Sequence, residues 1–174
     1  MTISSDAEQA QAGKAEQVGK TEKVSWSDID KVIEKWLHER QEMILLYCAI
    51  DGLKEYTPQE TPISVKIQAF CQVLVDYVSA GHFEVYDQLM KEAEQFADEG
   101  IEIAKKLYPQ IHSTTETALA FNDKYDTEEH CDEQLGSLAR DLSALGEQLE
   151  TRFDLEDLLI EKLHNNHREI AAVN

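Results

Sequence analysis

Apolar residues recur at three- and four-residue steps along most of this chain. That is the period of an amphipathic helix, and the two-residue alternation of a half-buried strand appears nowhere. The pattern starts at Trp26. Ser27 can cap, Asp28 and Asp30 lie in the first turn, and Ile29, Ile33, Trp36, Leu37, Ile44, Tyr47 and Ile50 share one face up to Gly52. A polar loop through Tyr56, Thr57 and Pro58 follows. Thr61-Pro62 then reads as a cap and first helical position, opening a stripe of Ile63, Ile67, Phe70, Cys71, Leu74, Tyr77 and Val78.

Gly81 is predicted to end or bend that helix. His82 to about Asp98 makes the next one, with Phe83, Tyr86, Leu89, Met90, Ala93 and Phe96 inward. Gly100 breaks the chain again. Ile101 to about Asp123 continues helically on Ala104, Leu107, Tyr108, Ile111, Ala118 and Leu119, and Pro109 should kink it. A polar, acidic loop is expected over Asn122–Glu133. The last helix runs from about Asp132 to His167 on Leu135, Leu138, Leu142, Leu145, Leu149, Phe153, Leu159 and Leu163.

The predicted fold is all-α: an antiparallel bundle of four main helices, one of them broken into two segments. Residues 1–24 are rich in Ala, Gln, Glu, Lys, Ser and Thr and are read as a flexible N-terminal tail, with 25–174 as a single domain.

Charge narrows the function. The 174 residues hold 16 Lys plus Arg against 35 Asp plus Glu, a formal −19. The segment 1–24 carries only −1, so the helical part carries −18. Such a surface repels nucleic acid phosphates and disfavours direct nucleic-acid binding, while it suits a basic protein partner. The N-terminus lacks the apolar core of a signal peptide, and no stretch approaches the roughly 18 apolar residues of a membrane span. Cys48, Cys71 and Cys131 are odd in number and form no CxxC pair; Cys48 and Cys71 read as core residues. A reduced, cytoplasmic setting is the expectation, with no membrane association.

Motifs for chemistry are sparse. There is no GxGxxG, GxxxxGK[ST] or GxSxG. A di-iron carboxylate bundle needs a Glu-x-x-His from each of two helices, and Glu161-x-x-His164 occurs once. The second such motif is missing, which leaves the ligand set incomplete; a hemerythrin- or ferritin-like metal bundle stands as the alternative reading, and no cofactor is assigned. His112, His130 and His167 look solvent-facing or terminal, and the His164 region reads as a frayed helix end. His82, after Gly81, reads first as a packing residue at the bend. Asp76, inside the apolar run Val73–Val78, is either an ordinary exposed acid or a carboxylate beside apolar surface. The second arrangement suits a partner with an Arg or Lys next to a hydrophobic knob. Trp36, Arg40, Tyr47, Tyr77, Tyr86 and Phe153 stand at helical spacing and read mostly as core, with a rim position as the alternative for Trp26 and Trp36.

The run Phe70–Tyr86, containing Leu74-Val75-Asp76-Tyr77-Val78-Ser79-Ala80-Gly81-His82-Phe83, resembles the signature of the Rsd/AlgQ family of bacterial anti-sigma factors. Trp36-Leu37-His38-Glu39-Arg40 is similar to that family's Trp-Leu-x-x-Arg. Arg152-Phe153-Asp154-Leu155-Glu156-Asp157-Leu158-Leu159-Ile160 resembles its Arg-Phe-x-Leu-Glu-Asp-x-Leu-Ile. Leu107–Ile111 and Ala120–Asp123 look closest to the AlgQ branch. The resemblance spans about residues 27–165, and nothing is carried over for the N-terminal tail or for Thr127–Asp132.

What the resemblance implies is a non-enzymatic helical bundle that binds region 4 of the housekeeping sigma subunit. Sigma held in this way is kept from core RNA polymerase and from −35 promoter DNA. Carried over by position, the sigma-binding candidates are Asp76, Tyr77, His82, Tyr86, Trp36 and Arg40. Arg152, Glu156 and Asp157 are either further contacts or an internal salt-bridge cluster. An adaptor for other regulatory proteins, such as a phosphocarrier, is a further reading of the same acidic surface.

Overall fold

The computed structural model describes residues 26–51, 62–96 and 98–173. The predicted tail, Gly52, the loop through Pro58, and Thr61 lie outside the described residues. Among the described residues the structure is all helix and turn: α1 (Trp26–Asp51), α2 (Ile63–Ala80), α3 (Tyr86–Ala93), α4 (Gly100–Tyr125), α5 (Glu128–Ile160) and α6 (Asn166–Val173). Two π turns, Gly81–Val85 and Glu161–Asn165, join α2 to α3 and α5 to α6. No helix among the described residues is long and apolar enough to cross a membrane.

Side-chain pairs fix the directions of the helices. Trp36 and Tyr47 of α1 meet Tyr77 and Phe70 of α2, so these two run antiparallel. Phe70 meets Phe121, and His82 meets Thr115, which turns α4 against α2. Lys124 and Thr115 of α4 meet Asp141 and Arg152 of α5 in the same opposed sense. Tyr47 reaches the Leu142 carbonyl and Arg40 reaches Asp157, which closes α5 onto α1. The core is continuous from Ile29 and Ile33 through Phe70, Leu74, Ile111 and Leu142 to Leu163.

Most of the predicted inward faces are buried, with informative exceptions. Ile44 and Leu119 are exposed, and Met43 and Arg40 take the inward positions of α1. Cys48 is exposed rather than core, because the helix phase that turns Met43 and Ile50 inward turns Leu45 and Cys48 out; Cys71 is buried as expected. The acidic loop shrinks to two residues, since α4 runs to Tyr125 and α5 begins at Glu128 with Thr127 accepting the His130 amide. α4 continues through Pro109 as one helix.

Gly81 closes α2 as expected but leads straight into a π turn, whereas Gly100 opens α4. Gly81 keeps right-handed helical geometry. It sits at a close approach: a Cβ there would lie 3.2 Å from Trp36 Cζ2 and Tyr86 OH and 3.3 Å from Arg152 Nη2, so those side chains would have to give way by a few tenths of an ångström. The helix passes through it in a π turn, which inserts one residue and shifts the phase. Phe83, expected inside, is consequently 81% exposed, while Tyr86, Leu89 and Ala93 stay buried. The true break lies beyond Ala93, and α4 begins on Gly100.

Candidate functional site

The candidate residues divide between the two sides of α2. On the inner side a single carboxylate organises the bundle. Glu156 Oε1 accepts from Tyr86 OH at 2.7 Å and Arg152 Nε at 2.6 Å; Oε2 accepts from Tyr77 OH and, at 3.1 Å, from Arg40 Nη2. Four donors saturate a carboxylate, which makes this ion tolerable at zero exposure.

Arg152, also fully buried, spends its remaining donors on Thr115 Oγ1 (2.6 Å), Thr114 Oγ1 (3.2 Å) and Tyr86 OH (3.1 Å). Arg40 adds Tyr77 OH at 2.9 Å and Asp157 Oδ1 at 2.6 Å. Trp36 stacks on Tyr77 with centroids 5.0 Å apart and donates Nε1–H to the Tyr77 carbonyl at 3.1 Å. Burial, then the neighbouring Glu156, pushes the phenols of Tyr77 and Tyr86 far above their ordinary value, so both stay protonated donors. Arg40 is held charged despite its burial by Tyr77, Asp157 and Glu156.

Every one of the first five helices contributes to this cluster. Trp36, Arg40, Tyr77 and Tyr86 are thus brought together in the interior. The Arg152–Glu156 pair is internal, and Asp157 turns back to Arg40 from a half-exposed position. Trp36 is not at a rim. His82 is half-buried and bonds Thr115 Oγ1 at 3.0 Å through Nε2. Burial, Arg152 and His112 together lower its pKa.

The outer side of α2 looks different. Val65, Ala69, Gln72 and Asp76, spaced at four, three and four residues, face solvent, and Phe83 and Glu84 continue outward in the π turn. Asp76 has Gln72 Nε2 as a hydrogen-bond donor at 3.1 Å. Partial burial of Glu39 of α1, then the charges of Glu84 and Asp76, raises its pKa against the pull of Lys35. Its Oε2 is buried without a hydrogen-bond partner. Glu39, Asp76 and Glu84 thus share one electrostatic neighbourhood, and Phe83 is exposed next to Glu84 in the π turn.

The histidines near the C-terminus are not at a frayed end. His164 and His167 are both buried. Each His164 ring nitrogen is engaged by a carboxylate, and no group of three or more His, Cys, Asp or Glu among the described residues could hold a metal ion.

Sequence reasoning missed the centrality of Glu156 and the roles of Thr114, Thr115 and Glu92. A signal existed for two of them. Glu156 sits on the stripe Leu149, Arg152, Leu159, and Glu92 sits three residues after Leu89; both are polar residues in core phase.

Residues 15–164 match the family model described as regulator of the RNA polymerase sigma(70) subunit, Rsd/AlgQ. The chain belongs to this family. The match begins inside the segment read as a tail. Rsd/AlgQ relatives named regulator of sigma D include those of Yersinia pseudotuberculosis (strain IP 31758) and Yersinia enterocolitica (strain 8081). Each is 37% identical over 142 residues, or 81% of this chain, covering 83% and 84% of the relative respectively. The regulator of sigma D of Enterobacter sp. (strain 638) is 37% identical over 143 residues, 80% of this chain and 83% of its own length.

Proposed function

We propose that this member of the Rsd/AlgQ family is a non-catalytic anti-sigma factor, acting in the cytoplasm by holding region 4 of the housekeeping sigma subunit away from core polymerase and −35 DNA. The observation that carries the reading is the outward face of α2. Asp76 stands there with Glu84 and Glu39, beside exposed Phe83 and a stretch containing Val65 and Ala69. A helix-turn-helix that reads DNA carries cations for phosphates and apolar side chains for its own packing. A carboxylate group beside apolar surface complements both, and the −18 of the helical part steers the encounter.

In this reading the contact residues are Asp76, Glu84, Glu39 and Phe83, with His82 at the edge. Trp36, Arg40, Tyr77 and Tyr86 act through position, holding α2 and the π turn in register from behind.

Titration of purified sigma region 4 into the full chain tests this. Affinity should fall steeply between low and high salt, and Asp76→Arg should weaken it by about 30-fold or more, equivalent to roughly 2 kcal/mol. Unchanged affinity of a folded Asp76→Arg variant removes Asp76 from the interface.

A further inference from the structure

The second π turn holds a buried charge relay that the sigma-binding reading does not use. His164 Nδ1 lies 2.9 Å from Glu92 Oε2 and 3.1 Å from its Oε1; Nε2 lies 2.7 Å from Asp30 Oδ1. A neutral imidazole has one N–H, so its other nitrogen would set a lone pair against a carboxylate lone pair. Only the imidazolium donates at both ends. Glu92 is itself buried, with 3% of its side chain exposed, and His164 supplies its countercharge. Without that proton a carboxylate remains in the interior uncompensated.

The surroundings come from several elements. α1 brings Asp30, which also takes Arg168 Nη1 of α6 at 3.3 Å, and α3 brings Glu92. The turn before α4 brings Asp98, which holds His167 Nε2 and the Gly100 amide. Gly100 leaves room for the turn to close: a Cβ there would lie 2.8 Å from Leu163 Cδ2 and 3.4 Å from His167 Cε1. Two aromatic rings complete the contact. Trp26 lies 5.5 Å from His164, and Phe96 stacks on His167 at 4.0 Å.

We propose that residues 161–173 form a proton-dependent latch, clamped onto α1 and α3 while His164 is protonated and released from the bundle when it is not. Release uncovers Trp26 and Phe96 at this end of the molecule.

The sign follows from the surroundings. Burial opposes the charge on His164, but the hydrogen bonds and charges of Glu92 and Asp30 outweigh it and lift the pKa above 6.5. The latch contribution is therefore complete below pH 6.5 and lost as pH rises through the folded-state value.

The test is a histidine-ring NMR titration of the full chain, with hydrogen exchange followed segment by segment and corrected for intrinsic pH dependence. His164 should titrate above 6.5. Protection of residues 161–173 should fall about tenfold or more between pH 6.5 and 9, while residues 138–152 of α5 hold theirs. Glu92→Gln should flatten that dependence, since a neutral amide tolerates neutral imidazole, and His167→Gln should leave it in place. Titration of His164 at or below 6.5, or pH-independent protection of 161–173 in the unmodified chain, overturns the latch. So does full pH dependence in a folded Glu92→Gln variant.

Discussion

Asp76 and Tyr77 are consecutive residues of α2 in opposite environments. Tyr77 is fully buried, stacked on Trp36 and tied to Glu156 and Arg40. Asp76 stands in solvent with Gln72, facing the Glu39–Glu84 side. The same short motif thus contains one residue that keeps the helix in place and one that the helix displays. In a chain this acidic the inner cluster is balanced, two guanidinium groups against the carboxylates of Glu156 and Asp157, whereas the outer face leaves its carboxylates without strong countercharge. A polar residue inside a motif need not touch the partner. It can be there so that its neighbour does.

The contrast can be broken most severely from the inside. Glu156→Ala removes the one carboxylate that Arg40 and Arg152 share, leaving two buried guanidinium groups facing each other's fields, and should cost about 3–5 kcal/mol in urea unfolding. A cost below about 1 kcal/mol would mean that the cluster is not what holds the bundle together. Asp76→Arg should show the opposite behaviour, an unfolding midpoint close to that of the unmodified chain alongside the loss of region 4 affinity described above.

Tyr77→Phe sharpens the comparison with a smaller perturbation. Removing one buried hydroxyl from Glu156 and Arg40 should cost about 1–3 kcal/mol of stability and leave the affinity of the folded protein within about twofold. A selective loss of affinity would place Tyr77 in the interface despite its burial.

Phe83→Ser probes the exposed side without touching the core. Stability should stay within about 0.5 kcal/mol, and region 4 binding should weaken by roughly tenfold, the value of a buried aromatic anchor near the low end of such losses. The smallest effect is Glu39→Gln. Burial, with Glu84 and Asp76 against Lys35, raises its pKa from the ordinary value, so its ionised form is disfavoured by folding, and neutralising it should raise the unfolding free energy by less than about 0.5 kcal/mol at pH 7, solvent screening keeping the effect small. A decrease instead would show that the Lys35 pairing outweighs the repulsion from Glu84 and Asp76.

Helix existence, order and most inward positions were legible because a 3.6-residue period survives in the residue pattern itself. Boundaries were less so. Gly81 and Gly100 look like stops, yet both sit where side chains from elsewhere in the bundle crowd the Cβ position, tightly at Gly81 and below ordinary contact at Gly100. That requirement belongs to packing across the bundle and leaves no local mark. The π turn at Gly81–Val85 is equally silent, and it is what moved Phe83 from the predicted core to the surface. The candidate site was legible as a motif. Which of its residues point outward was not, since four of the six lie within hydrogen-bonding reach of partners 37 to 117 positions away or stack on them.

Taken by itself, the amino-acid sequence determined an all-helical, strongly acidic chain, its family, and Asp76 as the exposed acid in an apolar run. These follow from local periodicity, composition and an uninterrupted motif, all of which are readable within a few turns of chain. Only the tertiary structure decided that Glu156 is the hub of a buried network, that His164 and His167 are interior, and that Phe83 joins Asp76 outside. Burying a charge is tolerable only when distant side chains arrive to neutralise it, and their arrival is a property of the assembled bundle.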